Sequence, residues 1–69
     1  MKKLSITISG HRTSITLEDE FADVLRQIAK RENTSIAKII QNIDANGAAN
    51  LSSAVRVWVL KRIMSQIPE

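Results

Sequence analysis

The chain has few of the residues that catalysis, metal binding or covalent cross-linking require. Its 69 residues include no cysteine and no tyrosine, one histidine and one tryptophan. Without cysteine the chain can form no disulfide and offers no thiolate to a zinc ion. The acidic residues have no histidine partner at the spacing of metal ligands. We therefore expect a protein that is not an enzyme and that has neither a metal site nor a cofactor.

Long apolar runs are also missing. No stretch reaches the roughly 18–20 apolar residues that a membrane-spanning helix needs. The basic start, Met1-Lys2-Lys3, is followed by alternating polar and apolar residues rather than by the continuous apolar run of a signal peptide. We therefore expect a cytoplasmic protein without a membrane partner.

The small size of the chain limits its core. Residues 1–69 fit a single domain, and a domain of this size buries only about 60% of its unfolded surface. A composition of 43% apolar and 25% charged residues is that of a folded domain. With no disulfide or metal to brace it, oligomerisation is the remaining common way to stabilise such a core. We therefore expect a homodimer.

The net charge of +3 is unevenly distributed. Residues 1–17 contain three basic residues and no acid, residues 18–34 contain three basic residues against five acids, and residues 35–69 contain four against two. An acid-free basic segment beside an acidic one favours an anionic partner at the N-terminal segment. A mildly basic balance is also common in small domains without such a partner, so charge alone leaves both interpretations open.

Two segments with a period of two residues predict strands over about 3–8 and 12–17. They are near copies, because Ser5-Ile6-Thr7-Ile8 matches Ser14-Ile15-Thr16-Leu17, and both are rich in β-branched residues. The intervening Ser9-Gly10-His11 is typical of a turn, so a hairpin can form. Two strands alone are not stable in water, and their apolar face needs a cover.

Apolar residues at helical spacing predict three helices, over about 18–32, 35–45 and 51–66. Short polar residues interrupt the pattern before the second and third helices, where Ser35 and Asn50 are the expected N-caps. Pro68 is expected to bound the third helix. This helix is apolar around much of its circumference, which in so short a chain indicates a subunit interface.

The order of strand, helix, short break and helix over residues 12–45 resembles the ribbon-helix-helix DNA-binding proteins of the Arc and MetJ type. Residues 25–36, LRQIAKRENTSI, are similar to the family's helix end, break and helix restart. Residues 11–18, HRTSITLE, with residues 50–56, NLSSAVR, resemble a short bacterial subfamily that adds a helix after this core.

The resemblance implies a mainly helical fold with a short β-ribbon, in an intertwined homodimer. Each subunit of such a dimer gives one strand to a two-stranded antiparallel ribbon that lies in the major groove of double-stranded DNA. We assign residues 12–17 to this ribbon, because only the second strand leads directly into a helix. The first strand either pairs beside it or lies as a flexible arm, and assembly beyond a dimer on DNA stays open.

The resemblance also implies roles for individual residues. The outward side chains of the ribbon strand would contact bases: Arg12, Ser14 and Thr16. The start of the second helix and nearby lysines would contact DNA phosphates: Thr34, Ser35, Ile36, Ala37, Lys38, Lys2 and Lys3. Apolar residues of the ribbon and of the second and third helices would form the dimer interface: Ile15, Leu17, Ile39, Ile40, Ile43, Val55, Trp58 and Val59.

Three functions fit these observations. The leading one is a sequence-specific transcriptional repressor or regulator. The second is an antitoxin that binds its toxin through the C-terminal helix, and the third is a dimeric protein-interaction module without DNA binding. An antitoxin of this kind would have a C-terminal segment that is disordered until its partner binds. The apolar, capped and acid-poor third helix favours a segment that is folded at all times.

Overall fold

A computed structural model describes residues 1–47 and 49–67 of the chain. Two strands precede three helices, and their bounds are β1 Lys2–Ile8, β2 His11–Leu17, α1 Asp19–Arg31, α2 Ile36–Asp44 and α3 Leu51–Met64. The predicted fold of N-terminal strands followed by three helices is confirmed. Pro68, the expected boundary of the third helix, lies outside the described residues.

The two strands form an antiparallel hairpin within one chain. Their register pairs Lys2 with Leu17 and Ile8 with His11. Ser9 and Gly10 form the turn with φ angles of 52° and 82°. Two successive positive φ angles are typical of the type I′ turn, whose twist matches that of the flanking strands.

The hairpin fixes the place of the first strand, which pairs beside the second in the same chain. β1 is therefore not a flexible arm but lies along one edge of β2, and a ribbon shared between two subunits stays a prediction. The physical reason is the two-residue connection, because closing so short a loop costs little chain entropy.

A single chain builds the hydrophobic core. Alternation along the hairpin directs one set of side chains to its underside, where the helices pack. The largest fully buried side chains come from β2, α1, α2 and α3, and they are Leu17, Leu25, Ile40, Val55 and Val59. Since α3 contributes two of the five, this added helix supplies much of the cover that the ribbon needs.

Polar caps set the ends of the helices. After α1, Asn33 adopts a left-handed φ of 55°, and the Thr34 N–H donates to the Ala29 carbonyl at 2.9 Å. This pattern is a Schellman motif with asparagine at the position that glycine usually takes. The two expected N-caps are present, since the Ser35 hydroxyl accepts from the Lys38 N–H and the Asn50 side chain accepts from the Ser53 N–H, each at 3.1 Å.

Polar contacts fix α3 against the rest of the chain. The Ser52 hydroxyl near its start accepts a hydrogen bond from the Thr16 N–H at 3.3 Å. The Arg56 guanidinium lies 3.6 Å from the Glu18 carboxylate. Near the end of the helix, Arg62 pairs with Glu32, which follows α1. The helix is therefore attached at both ends as well as through its apolar face.

The hairpin predicts the outcome of a cysteine cross-link. The Thr16 N–H points away from β1, toward Ser52, so Thr16 and the opposite Lys3 form a pair without strand-to-strand hydrogen bonds. Such pairs alternate with hydrogen-bonded pairs along the hairpin, and Ser5 and Ser14 are therefore also a pair without these hydrogen bonds. Such pairs have Cα atoms about 4.5 Å apart, within the range of a disulfide. We expect oxidised Ser5→Cys/Ser14→Cys to form a disulfide within one chain, without covalent linkage between chains.

Non-reducing electrophoresis and intact mass would check this expectation, with Ser5→Cys alone as the control. The chain has no other cysteine, so the product is unambiguous. Covalent dimers formed at low protein concentration would contradict the intrachain hairpin, because they would place the two strands of the ribbon in different subunits.

Candidate nucleic-acid interface

The outward face of the hairpin is polar and exposed. Its side chains form three cross-strand pairs, Thr7 with Arg12, Ser5 with Ser14, and Lys3 with Thr16. We call these six residues the ribbon face. Its residues span four steps along each strand, which gives the ribbon face a length of about 14 Å.

The chemistry of the ribbon face suits an anionic partner with hydrogen-bonding edges. It carries two cations and four hydroxyls, and residues 1–17 contain no acid. Arginine offers a rigid fork of donors, whereas each hydroxyl can both donate and accept. Arg12 forms no ion pair with any residue that the structure describes, so its guanidinium is available to external acceptors.

All three predicted base-contacting residues lie on the ribbon face. Arg12, Ser14 and Thr16 are exposed and follow one another at alternate positions of β2. The backbone N–H of Thr16 is used by Ser52, but its side chain remains accessible. The structure thus brings these residues together, and their contact with bases stays a prediction.

The two N-terminal lysines lie on different faces. Lys3 is opposite Thr16 on the ribbon face, whereas Lys2 is opposite the buried Leu17, toward the helices. The N-terminal ammonium of Met1 lies 3.7 Å from a carboxylate oxygen of Asp19 at the start of α1. Of the two lysines, only Lys3 therefore belongs to the ribbon face.

The predicted phosphate site at the start of α2 is partly accessible. Ser35 and Lys38 are exposed, while Thr34, Ile36 and Ala37 are partly buried. Ser35 uses its own hydroxyl to accept from the Lys38 N–H. By helix geometry the N–H groups of Ile36 and Ala37 have no acceptor within the helix, so they can donate to an anion.

The turn of the hairpin lies near the end of α2, whereas the predicted phosphate site lies at the start of this helix. Lys38 shares a groove with Glu32, Trp58 and Arg62. Asp44, at the end of α2, instead shares a groove with His11 and other residues of the turn. The nine residues of α2 span about 13 Å, so the phosphate site and the hairpin turn are separated by roughly that length.

The sequence analysis missed residues of the ribbon face and residues near the start of α2. Ser5 and Thr7 complete the ribbon face, and the near identity of the two strand sequences was the signal that could have found them. Arg62 lies near Lys38, pairs with Glu32, and has its guanidinium 4.6 Å from the centre of the Trp58 ring. Nothing local in the sequence predicts this proximity, because more than 20 residues separate Lys38 from Arg62.

The structure gives the predicted dimer-interface residues another environment. Trp58 is partly buried, and the others are buried in the core of their own chain: Ile15, Leu17, Ile39, Ile40, Ile43, Val55 and Val59. Their place in a dimer interface stays a prediction. The exposed apolar side chains of and after α3 are Val57, Leu60, Ile63, Met64 and Ile67.

The structure also bears on metal binding and on membrane insertion. Within residues 1–47 and 49–67, no group of three or more histidine, cysteine, aspartate or glutamate side chains could hold a metal ion. Over the same residues, each helix is too short or too polar to cross a membrane.

Comparison with known proteins gives one match. A family model described as a ribbon-helix-helix domain matches residues 1–63, which include both strands, α1, α2 and most of α3. No curated protein and no solved structure matches the chain significantly.

The caps predict how stability responds to substitution. We expect Ser35→Ala and Asn50→Ala each to lower the free energy of unfolding by about 1 kcal/mol, because each leaves a helical N–H without its acceptor. Ser35→Asp should preserve stability, since a carboxylate accepts the same bond and complements the helix dipole. Urea unfolding followed by circular dichroism would measure all three. A Ser35→Asp protein as unstable as Ser35→Ala would show that Ser35 does not act as a cap.

Proposed function

Because the chain belongs to the ribbon-helix-helix domain family, we propose that it is a sequence-specific DNA-binding protein that inserts its β-ribbon into the major groove and regulates transcription, as a repressor in the simplest case. Members of this family are typically DNA-binding regulators or antitoxins. The observation that carries the proposal is the ribbon face, an exposed, acid-free surface of two strands. The major groove is about 12 Å wide and admits such a ribbon.

The outward side chains of β2 supply the proposed base contacts. Arg12 has the donor geometry for the O6 and N7 acceptors of guanine, the commonest specific contact in the major groove. Ser14 and Thr16 can donate to or accept from base edges, and the methyl group of Thr16 can contact a thymine methyl. These contacts would determine sequence preference.

Phosphate contacts would orient the ribbon without specifying sequence. Lys3 lies at the open end of the ribbon face, and Lys2 lies beside it on the opposite face. At the start of α2, the exposed Ser35 and Lys38 flank the free backbone N–H groups of the first turn. The positive end of the helix dipole supports binding of a phosphate there.

The active form is proposed to be a homodimer that joins through the outward side of α3. The family generally binds DNA as dimers. Val57, Leu60 and Met64 follow the helical spacing of one side of α3, and their side chains are 49%, 49% and 57% exposed. Burying them against a second copy would remove apolar surface from water. Of the interface residues predicted from sequence, the partly buried Trp58 lies beside this surface, in a groove that includes Val57.

The attachment of α3 supports a regulator over an antitoxin. Val55 and Val59 are fully buried, and Ser52, Arg56 and Arg62 tie the helix to other elements. A toxin-binding segment of the expected kind would instead become ordered only with its partner. Because α3 also has an exposed apolar side, binding of a protein partner through this helix is the second candidate function. A DNA-binding regulator of the bacterial subfamily would act in the cytoplasm.

Arg12→Ala tests the base-reading role of the ribbon. We expect it to reduce discrimination against a duplex with one changed guanine by about 1–3 kcal/mol, because the bidentate contact is lost. Duplexes selected from a random-sequence library, titrated by fluorescence anisotropy at two salt concentrations, would measure affinity and specificity. Arg26→Ala is the matched control, since Arg26 lies on the exposed side of α1 and pairs with Asp23.

Steep loss of affinity with rising salt is the expected behaviour of the folded protein, because phosphate contacts release counterions. No binding at low salt would overturn the DNA-binding proposal. Equal losses in Arg12→Ala and Arg26→Ala would indicate a general charge effect rather than base reading.

Ser35→Asp tests the phosphate site separately from stability. The substitution keeps a good cap but places a carboxylate where a phosphate would bind. We expect lower affinity for all duplexes, with unchanged base preference and unchanged free energy of unfolding. Ser35→Asn is the control, because it caps the helix without adding charge. Equal DNA affinity of the Asp and Asn variants would remove the start of α2 from the interface.

A further inference from the structure

The start of α3 is attached to the end of β2 that carries Thr16. The Thr16 N–H donates a hydrogen bond to the Ser52 hydroxyl at 3.3 Å. One helical turn after Ser52, the Arg56 guanidinium lies 3.6 Å from the carboxylate of Glu18, the residue that follows β2. We infer that Ser52 is a positioning residue for DNA recognition, which holds Thr16 in the orientation that contacts bases. The inference rests on the proposed DNA-binding function and deepens it.

This end of the hairpin has few restraints of its own. The turn joins the two strands at the other end, whereas the last cross-strand pair at this end is Lys2 with Leu17. The Thr16 N–H points away from β1, so the hairpin does not satisfy it. Backbone with few internal hydrogen bonds opens more readily than the core of a fold. The Ser52 hydroxyl therefore supplies a restraint that β1 cannot supply.

The residues that follow Thr16 are restrained as well. Leu17 is fully buried in the core. The Oε1 atom of Glu18 is buried and accepts no hydrogen bond within the described part of the chain, so the nearby charge of Arg56 is what compensates it. A side chain that recognises a ligand must be held within about 0.5 Å and 10–20° of its contact geometry. With its N–H bonded and the next residue buried, Thr16 has a restrained backbone, which sets the direction of its side chain.

Ser52 acts through Thr16 and does not need to touch DNA. It belongs to α3 and not to the ribbon face, and its hydroxyl is used by the backbone of β2. A contact that only stabilised the fold would raise the free energy of unfolding and leave the base preference of the folded protein unaffected. A positioning contact also affects that preference, at the base pair that Thr16 contacts.

Ser52→Ala tests the inference, because it removes the acceptor of the Thr16 N–H and leaves the ribbon face intact. We expect faster hydrogen exchange at the Thr16 amide, measured by NMR. We also expect discrimination between the best duplex and one with a single changed base pair to fall about threefold or more, since one net hydrogen bond is lost. The salt dependence of affinity should stay the same, because the phosphate contacts are unchanged.

The chain offers a matched control in Ser53→Ala. Ser53 is the next residue of α3, but it lines the groove that contains Trp58 on another side of the helix. The same chemical change at this position should leave the base preference and the exchange of the Thr16 amide as in the wild type. Ser52→Thr keeps the hydroxyl and should also retain the base preference. Circular dichroism would check that each variant is folded.

A double substitution shows whether the effect passes through Thr16. In the Thr16→Ala background, Ser52→Ala should cause no further loss of discrimination, because the side chain that Ser52 positions has been removed. The inference is overturned if folded Ser52→Ala keeps the wild-type base preference, if Ser53→Ala changes the preference equally, or if the loss persists in the Thr16→Ala background. In each of these cases the proposed function stands. If the folded wild-type protein binds no DNA at low salt, the inference and the proposed function both fail.

Discussion

Burial of the hairpin's underside is the constraint on which the rest of the structure depends. A two-stranded hairpin is at best marginally stable alone, so Ile8, Ile15 and Leu17 must be covered by helices. Because side chains alternate along a strand, covering one face forces the intervening residues into solvent. A slip of one residue would exchange the two faces, and Arg12 and Ser14 would enter the core. The polar ribbon face is therefore fixed in place by apolar packing on its reverse side.

The added helix α3 determines how that packing is completed. Val55 and Val59 are fully buried, and Ser52 satisfies a backbone N–H of β2 at the outer edge of the hairpin. The chain thereby gains a core and a protected strand edge from its own residues. The consequence appears on the other side of the helix, where Val57 and Leu60 are each 49% exposed. A helix that is apolar around much of its circumference packs one side into the core and leaves apolar residues exposed on another side.

Local patterns in the sequence predict part of this structure. A period of two gives the strands and also gives the outward direction of Arg12, Ser14 and Thr16, because orientation along a strand depends only on register with the core. Hydrogen-bonding side chains mark the helix starts, as Ser35 shows. The same patterns do not indicate which chain covers an apolar residue. Periodicity shows that Ile40 must be buried, but whether its own chain or a partner buries it depends on contacts between distant segments, which no local pattern records.

Under the proposed function, a hairpin formed within one chain changes how folding, dimerisation and DNA binding are linked. When two subunits share a ribbon, the reading surface exists only in the dimer, and its population depends on protein concentration. Here the turn at Ser9 and Gly10 joins the two strands, so the ribbon face forms with the fold of each chain. Dimerisation through α3 would then add affinity by linking two reading surfaces, each binding event raising the effective concentration of the other. On that proposal, substitutions at Val57 or Leu60 would weaken the linkage without altering base contacts, because neither residue lies on the ribbon face.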